Sequence, residues 1–189
     1  MTIAIAGLTD LSQFTGTYTI DPAHSQIGFV ARHAMVTKVR GTFDDFDGTA
    51  HFDASAPAAA AVTVNIRSGS INTRNQQRDE HLRNNDFLAV DEYPAISFVS
   101  TGLQVTGEDT FELTGNLTIR GVTNAVAIPF TFEGAATDPF GNVRLGFAGS
   151  VAINRKDYGV TWNAALETGG FLVSDKVVLE FEVSAIKTA

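Results

Sequence analysis

The strongest constraint on this chain is a period of two. Val62, Val64 and Ile66 alternate with Thr63, Asn65 and Arg67, and Phe111, Leu113, Gly115, Leu117 and Ile119 alternate with Glu112, Thr114, Asn116, Thr118 and Arg120. Successive side chains of a strand point to opposite faces, so each run reads as a strand with one apolar face. The pattern recurs around Ile27 and Phe29, from Val126 to Phe132, from Val143 to Ile153 and from Val177 to Ala185. Turn formers separate the runs: Asp21-Pro22-Ala23, Gly107 to Asp109, and Gly121 to Asn124. Asp47-Gly48 reads as the tight turn of a hairpin joining Lys38–Phe46 to Thr49–Phe52. Roughly eight to ten strands of this kind make an all-β antiparallel barrel or sandwich. Without βα alternation, Rossmann and TIM architectures are excluded.

The 14 phenylalanines concentrate on the inward faces. A barrel of about eight strands can hold one small ligand inside. Alternation alone fits a hollow barrel and a packed sandwich equally, so both stand at this level. With 189 residues the chain makes one domain, read as a barrel over 17–187 behind an N-terminal arm over 1–16. Twenty-one acidic against 13 basic side chains leave a net charge of −8. No nucleic-acid partner is expected, because phosphate neutralisation needs a concentrated basic surface. The absence of cysteine excludes thiol catalysis, disulfides and cysteine-ligated zinc. The start of the chain lacks a basic segment, and its apolar run Ile3–Leu8 stops before Asp10, so the expected location is cytoplasmic.

One stretch breaks the alternation. Between Thr73 and Phe98 the chain carries Arg74, Arg78, Asp79, Glu80, His81, Arg83 and Asp86. It reads as a helical insert over a ligand entrance, or as a solvated crossover. In a helix Asp79 and Arg83 stand four apart as an ion pair, and Arg78 and Leu82 share a face. Arg78 would then lie along the mouth with Leu82 beneath it. The four histidines show no H-E-x-x-H spacing, and no metal site is expected. His33 shares parity with Ile27 and Phe29, so it is expected to point inward, as a rim histidine or a ligand contact. Arg155 continues the inward parity of Val151 and Ile153. Its guanidinium needs Asp157, Asp79, a carbonyl or a ligand head group. No G-x-S-x-G elbow occurs, which leaves hydrolase chemistry without a nucleophile.

Six segments, in order, resemble the YceI-like polyisoprenoid-binding family. They are Tyr18 to Ser25, Phe29 to Phe43, Arg78 to Leu82, Tyr93-Pro94 with Phe98, Gly115 to Thr123, and Asn154 to Gly159. The resemblance implies a lipocalin-like barrel with a helix over part of it and an elongated apolar cavity. It implies non-enzymatic binding, transport or storage of a polyisoprenoid lipid, of polyprenyl phosphate or isoprenoid quinone type. The lipid would be a bound ligand, with no covalent cofactor, and the partners would be a homodimer mate and, transiently, a membrane. Motif position and parity propose Phe29, Phe43, Phe98, Phe147 and Trp162 as tail contacts. They propose His33, Arg78, Asp79, His81, Arg155 and Asp157 as mouth or head-group contacts. The alternative is an enzyme acting on an isoprenoid-linked substrate through Asp79, His81 and Arg155.

Overall fold

The alternating strands close on themselves. The structure, a computed structural model, describes residues 10–189. Among these, the strands are β1 (Gly16–Ile20), β2 (Gln26–His33), β3 (Thr37–Phe43), β4 (Phe46–Phe52), β5 (Ala61–Arg67) and β6 (Ile71–Asn72). They continue with β7 (Ala95–Val105), β8 (Thr110–Ile119), β9 (Val122–Thr137), β10 (Val143–Asn154) and β11 (Lys176–Lys187). The order β1-β4-β5-β7-β8-β9-β10-β11 returns to β1, which closes an eight-stranded antiparallel barrel. Strands β2, β3 and β6 extend it.

The extensions are continuations past kinks. Strands β1 and β2 follow one another along the same edge of β11, with Ile20 opposite Ala185 and Gln26 opposite Glu182. The kink falls at Asp21-Pro22, where proline fixes φ and the Asp21 carboxylate accepts from the Ala23 N–H. Strand β3 runs into β4 in the same way, because β3 pairs with β2 and β4 pairs with β1. This corrects the hairpin expected around Asp47-Gly48, which lie inside β4. Gly48 serves packing there rather than a turn: a Cβ on it would sit 2.5 Å from Ile20 Cδ1.

The two ends of the barrel are built differently. Of the arm expected over 1–16, residues 1–9 lie outside the described residues. Leu11–Phe14 form a 3-10 turn that seats Phe14 edge-on against Phe132, ring centroids 5.2 Å apart. Tyr18 Oη donates to the Phe14 carbonyl, and Phe14, Tyr18, Phe132, Leu145 and Ala185 make a buried cluster. That cluster plugs the arm end.

The other end carries the β2–β3 hairpin, the crossover from β5 to β7 and the long connection from β10 to β11. In the crossover lies helix α1 (Gln76–Arg83), capped where Asn75 Oδ1 accepts from the Arg78 N–H. Eight residues are too few for a helix stable alone in water. Tertiary bonds hold it instead: Arg83 Nε and Nη2 donate to the carbonyls of Gly69 and Ile71. Leu82 turns into the barrel.

Candidate functional site

The interior of the barrel is a cavity of about 350 Å³ with an almost wholly hydrocarbon lining. Every phenylalanine except Phe46, Phe140 and Phe171 contributes to it. On β8 the lining runs from Phe111 to Ile119. At about 3.3 Å per residue that is roughly 26 Å of strand, or about 20 Å along the axis of a barrel with ordinary strand tilt. The aromatic contacts follow the wall. Phe111 stacks on its register partner Phe130 at 5.5 Å, Phe147 stands 5.7 Å from Phe132, and Phe130 stands 5.9 Å from Phe181. The first two pairs are neighbours on adjacent strands, whereas Phe130 and Phe181 meet across Gly149 of the intervening β10.

Three glycines keep those rings against the wall. Phe29 lies over its register partner Gly41, Phe130 over Gly149, and Phe98 over the diagonal neighbour Gly115. A Cβ built on any of the three would come within 2.6 Å of the ring. A bare backbone under each ring lets it lie flat, where a side chain would stand it up into the lumen.

The lining is not uniformly packed. Ile66, Ile96, Phe98, Leu113, Leu117 and Ile119, on β5, β7 and β8, are buried in one packed cluster with Phe87 and Tyr158. Phe29, Phe130, Phe147, Ile153, Leu179 and Phe181, on β2, β9, β10 and β11, line the cavity and stay half-buried. Both groups line the cavity, and the second is the less closely packed.

Of the expected tail contacts, Phe29, Phe43, Phe98 and Phe147 line the lumen. Trp162 does not. Its ring packs 4.7 Å from His81 and 5.3 Å from Phe87, so it joins α1 to the β10–β11 connection as part of a lid. His81 completes that cluster, edge-on to Phe87 at 5.0 Å, with Nε2 2.8 Å from Asp86 Oδ2.

The expected mouth residues divide. Asp79 is buried and accepts from Thr73 N–H at 2.8 Å and from the Thr73 hydroxyl. Arg78 donates to Thr73 Oγ1 and to its carbonyl. Both pin the helix, and the expected Asp79–Arg83 pair is not made because each has a nearer backbone or hydroxyl partner. His33 is exposed at the end of β2 and takes no part in the lining, since the strand leaves the barrel wall before reaching it. Asp157 is exposed; its backbone carbonyl accepts from Asn124 Nδ2.

Arg155 is 5% exposed and already spent. Nε donates to the Ser174 carbonyl, Nη1 to the carbonyls of Val160 and Trp162, and Nη2 to that of Val173. Asp175 stands 3.8 Å away as its ion-pair partner. Neither expected carboxylate, Asp157 or Asp79, is used. Burial pushes this guanidinium below its ordinary pKa and Asp175 opposes the shift. Burial likewise raises the Tyr158 hydroxyl, with an Asn124 hydrogen bond opposing it. No buried side-chain nitrogen or oxygen lacks a partner among the described residues.

Several lining residues escape a sequence reading. Leu179, Phe181, Phe130 and Ile153 carry the right parity, but parity does not tell a lumen from a packed core. Phe87 and Leu88 belong to an irregular segment after α1, where no periodicity operates.

A closed antiparallel barrel with a hydrocarbon lumen, one plugged end and one lidded end defines a lipocalin-like container. The chain belongs to the YceI-like family, whose model matches residues 18–185. It is 42% identical over 145 residues to a UPF0312 protein of Azotobacter vinelandii, covering 76% of each chain. The fold is similar to that of Burkholderia cenocepacia BcnA, with TM-score 0.76, 24% identity and coverage of 87% and 98% of the two chains. It is also similar to a polyisoprenoid binding domain from Saccharophagus degradans, with TM-score 0.69, 15% identity and coverage of 90% and 98%.

Proposed function

We propose that the protein holds the chain of a long polyisoprenoid, of polyprenyl phosphate or isoprenoid quinone type, without acting on it chemically. The observation that carries this is the hydrocarbon lining over about 20 Å of barrel. Burial of hydrocarbon is worth about 0.8 kcal/mol per CH₂, so roughly three isoprene units contribute about 12 kcal/mol gross. An association cost of about 4 kcal/mol leaves about 8 kcal/mol, which corresponds to micromolar binding. The Saccharophagus degradans domain, described as polyisoprenoid binding, supports the same cargo on the same fold.

The buried polar atoms of the wall are already satisfied, so nothing deep in the lumen waits for a head group. The head group therefore stays at the lidded end. Arg78, Asp79 and Arg155 are committed to the protein and His81 is bonded to Asp86, which leaves the exposed His33 and Asp157 as the sequence-proposed residues free to meet it. Asp79, His81 and Arg155, which a catalytic role would have to join, each serve a separate partner. That favours holding over turnover.

Extraction of the purified protein with organic solvent, followed by mass spectrometry, tests the reading. An isoprenoid at a fixed ratio to protein, or stoichiometric uptake of added polyprenyl lipid, is the expected result. A consistently empty extract with no uptake would remove it.

A further inference from the structure

We propose that the tip formed by the β2–β3 hairpin and the β10–β11 connection docks on the surface of an anionic lipid bilayer. Met35, Val36 and Phe171 are 63%, 74% and 58% exposed. They form one patch, because the two segments are sewn together. Ala34 N–H donates to the Leu172 carbonyl, Ser174 N–H to that of Arg32, and His33 bridges to Val173. A side chain at Gly170 would collide with the Met35 sulfur.

The hairpin holds its apolar tip against local preference. Ala34 and Met35 occupy left-handed conformations, φ 50° and 63°, where a two-residue turn normally has Asn and Gly. One rung below, Arg32 and Lys38 stand directly opposite each other in register, and neither has an ion-pair partner among the described residues. Like charges in that position oppose pairing of the strands. Arg40, on the same hairpin, is 3.4 Å from Glu180; Asp175 is paired with Lys156; Glu167 is the remaining nearby acid.

An exposed apolar patch flanked by unpaired cations is locally complementary to a bilayer with anionic head groups, against the repulsion of a chain whose net charge is −8. A twofold pairing with a second copy would instead bring the same cations together. The patch lies at the lidded end, so docking would turn that end toward the membrane. Its use in lipid transfer rests on the tail-holding reading; the docking itself rests on the surface alone.

Flotation of the full chain with vesicles of phosphatidylcholine, with and without phosphatidylserine, provides the test. Binding is expected on the anionic vesicles only. The combined change Met35→Ser, Val36→Ser, Phe171→Ser should weaken it at least tenfold, and Arg32→Ala or Lys38→Ala about fivefold each at low salt. Phe140→Ser, which alters an 88% exposed ring at the arm end, should change nothing. Extraction of the same preparations keeps the two readings apart: the triple variant should retain the wild-type complement of lipid while failing to float. Equal binding to neutral vesicles, flotation unaffected by the triple change, or a solution dimer that this change dissociates would overturn the proposal.

Discussion

The wall of β5, β7 and β8 and the wall of β10, β11 and β2 carry the same alternation and both line the cavity, yet the first is buried where the second is half-buried. The difference comes from what covers them. The crossover between β5 and β7 brings Phe87 over the first wall, where it joins the cluster of Ile66, Ile96, Phe98, Leu117 and Ile119. In the β10–β11 connection, Arg155 gathers carbonyls into a strap at the rim instead. A strand with one apolar face thus prescribes which side faces in, and the connections decide whether that side is filled.

The comparison is most directly broken by truncating one ring on each wall. Phe98→Ala, in the packed wall, should cost about 3–5 kcal/mol of stability. Phe181→Ala, beside the cavity, should cost about 1–2 kcal/mol, since its ring gives up less buried area. Denaturant midpoints at an unchanged slope read both; equal losses would mean that the two walls are packed alike.

Arg155→Ala tests the strap. Removing the guanidinium strands buried carbonyls and should cost about 3 kcal/mol with no lipid present. A stable variant that lost only lipid would make Arg155 a head-group residue instead.

Filling the lumen sharpens the contrast from the other side. Leu179→Trp adds bulk where there is room for it, so stability should hold while polyprenyl affinity falls about tenfold or more, through displacement of a few carbons of the tail. Competition with a fluorescent polyprenyl probe measures it. The smallest effect belongs to the lid. His81→Ala removes edge contacts with Phe87 and Trp162 worth about 1 kcal/mol, and should speed lipid release about fivefold. Trp162 is the only tryptophan, so its emission reports whether the lid has opened.

Much of the barrel was legible in the chain. Alternation places nearly all strands, and the charged insert marks the helix. Asp47-Gly48 misled because a pair that favours tight turns also suits a strand position where Ile20 needs the space of a side chain. The polar site was less legible. Arg155, Asp79 and Arg78 look like ligand groups in sequence because buried charge demands a partner, and composition does not say that backbone carbonyls and Thr73 supply it. Trp162 and Phe87 lie in irregular segments, so no periodicity relates them to each other or to His81.

By itself the sequence determined the strand faces, the all-β class and the place of the insert, because each follows from local spacing along the chain, while the family was marked by the resemblance of its motifs. Whether the apolar faces meet or stand apart was settled only in three dimensions. Closure of eight strands sets a fixed circumference, and glycines beneath aromatic rings, together with one-sided cover from the crossover, left part of that interior unfilled.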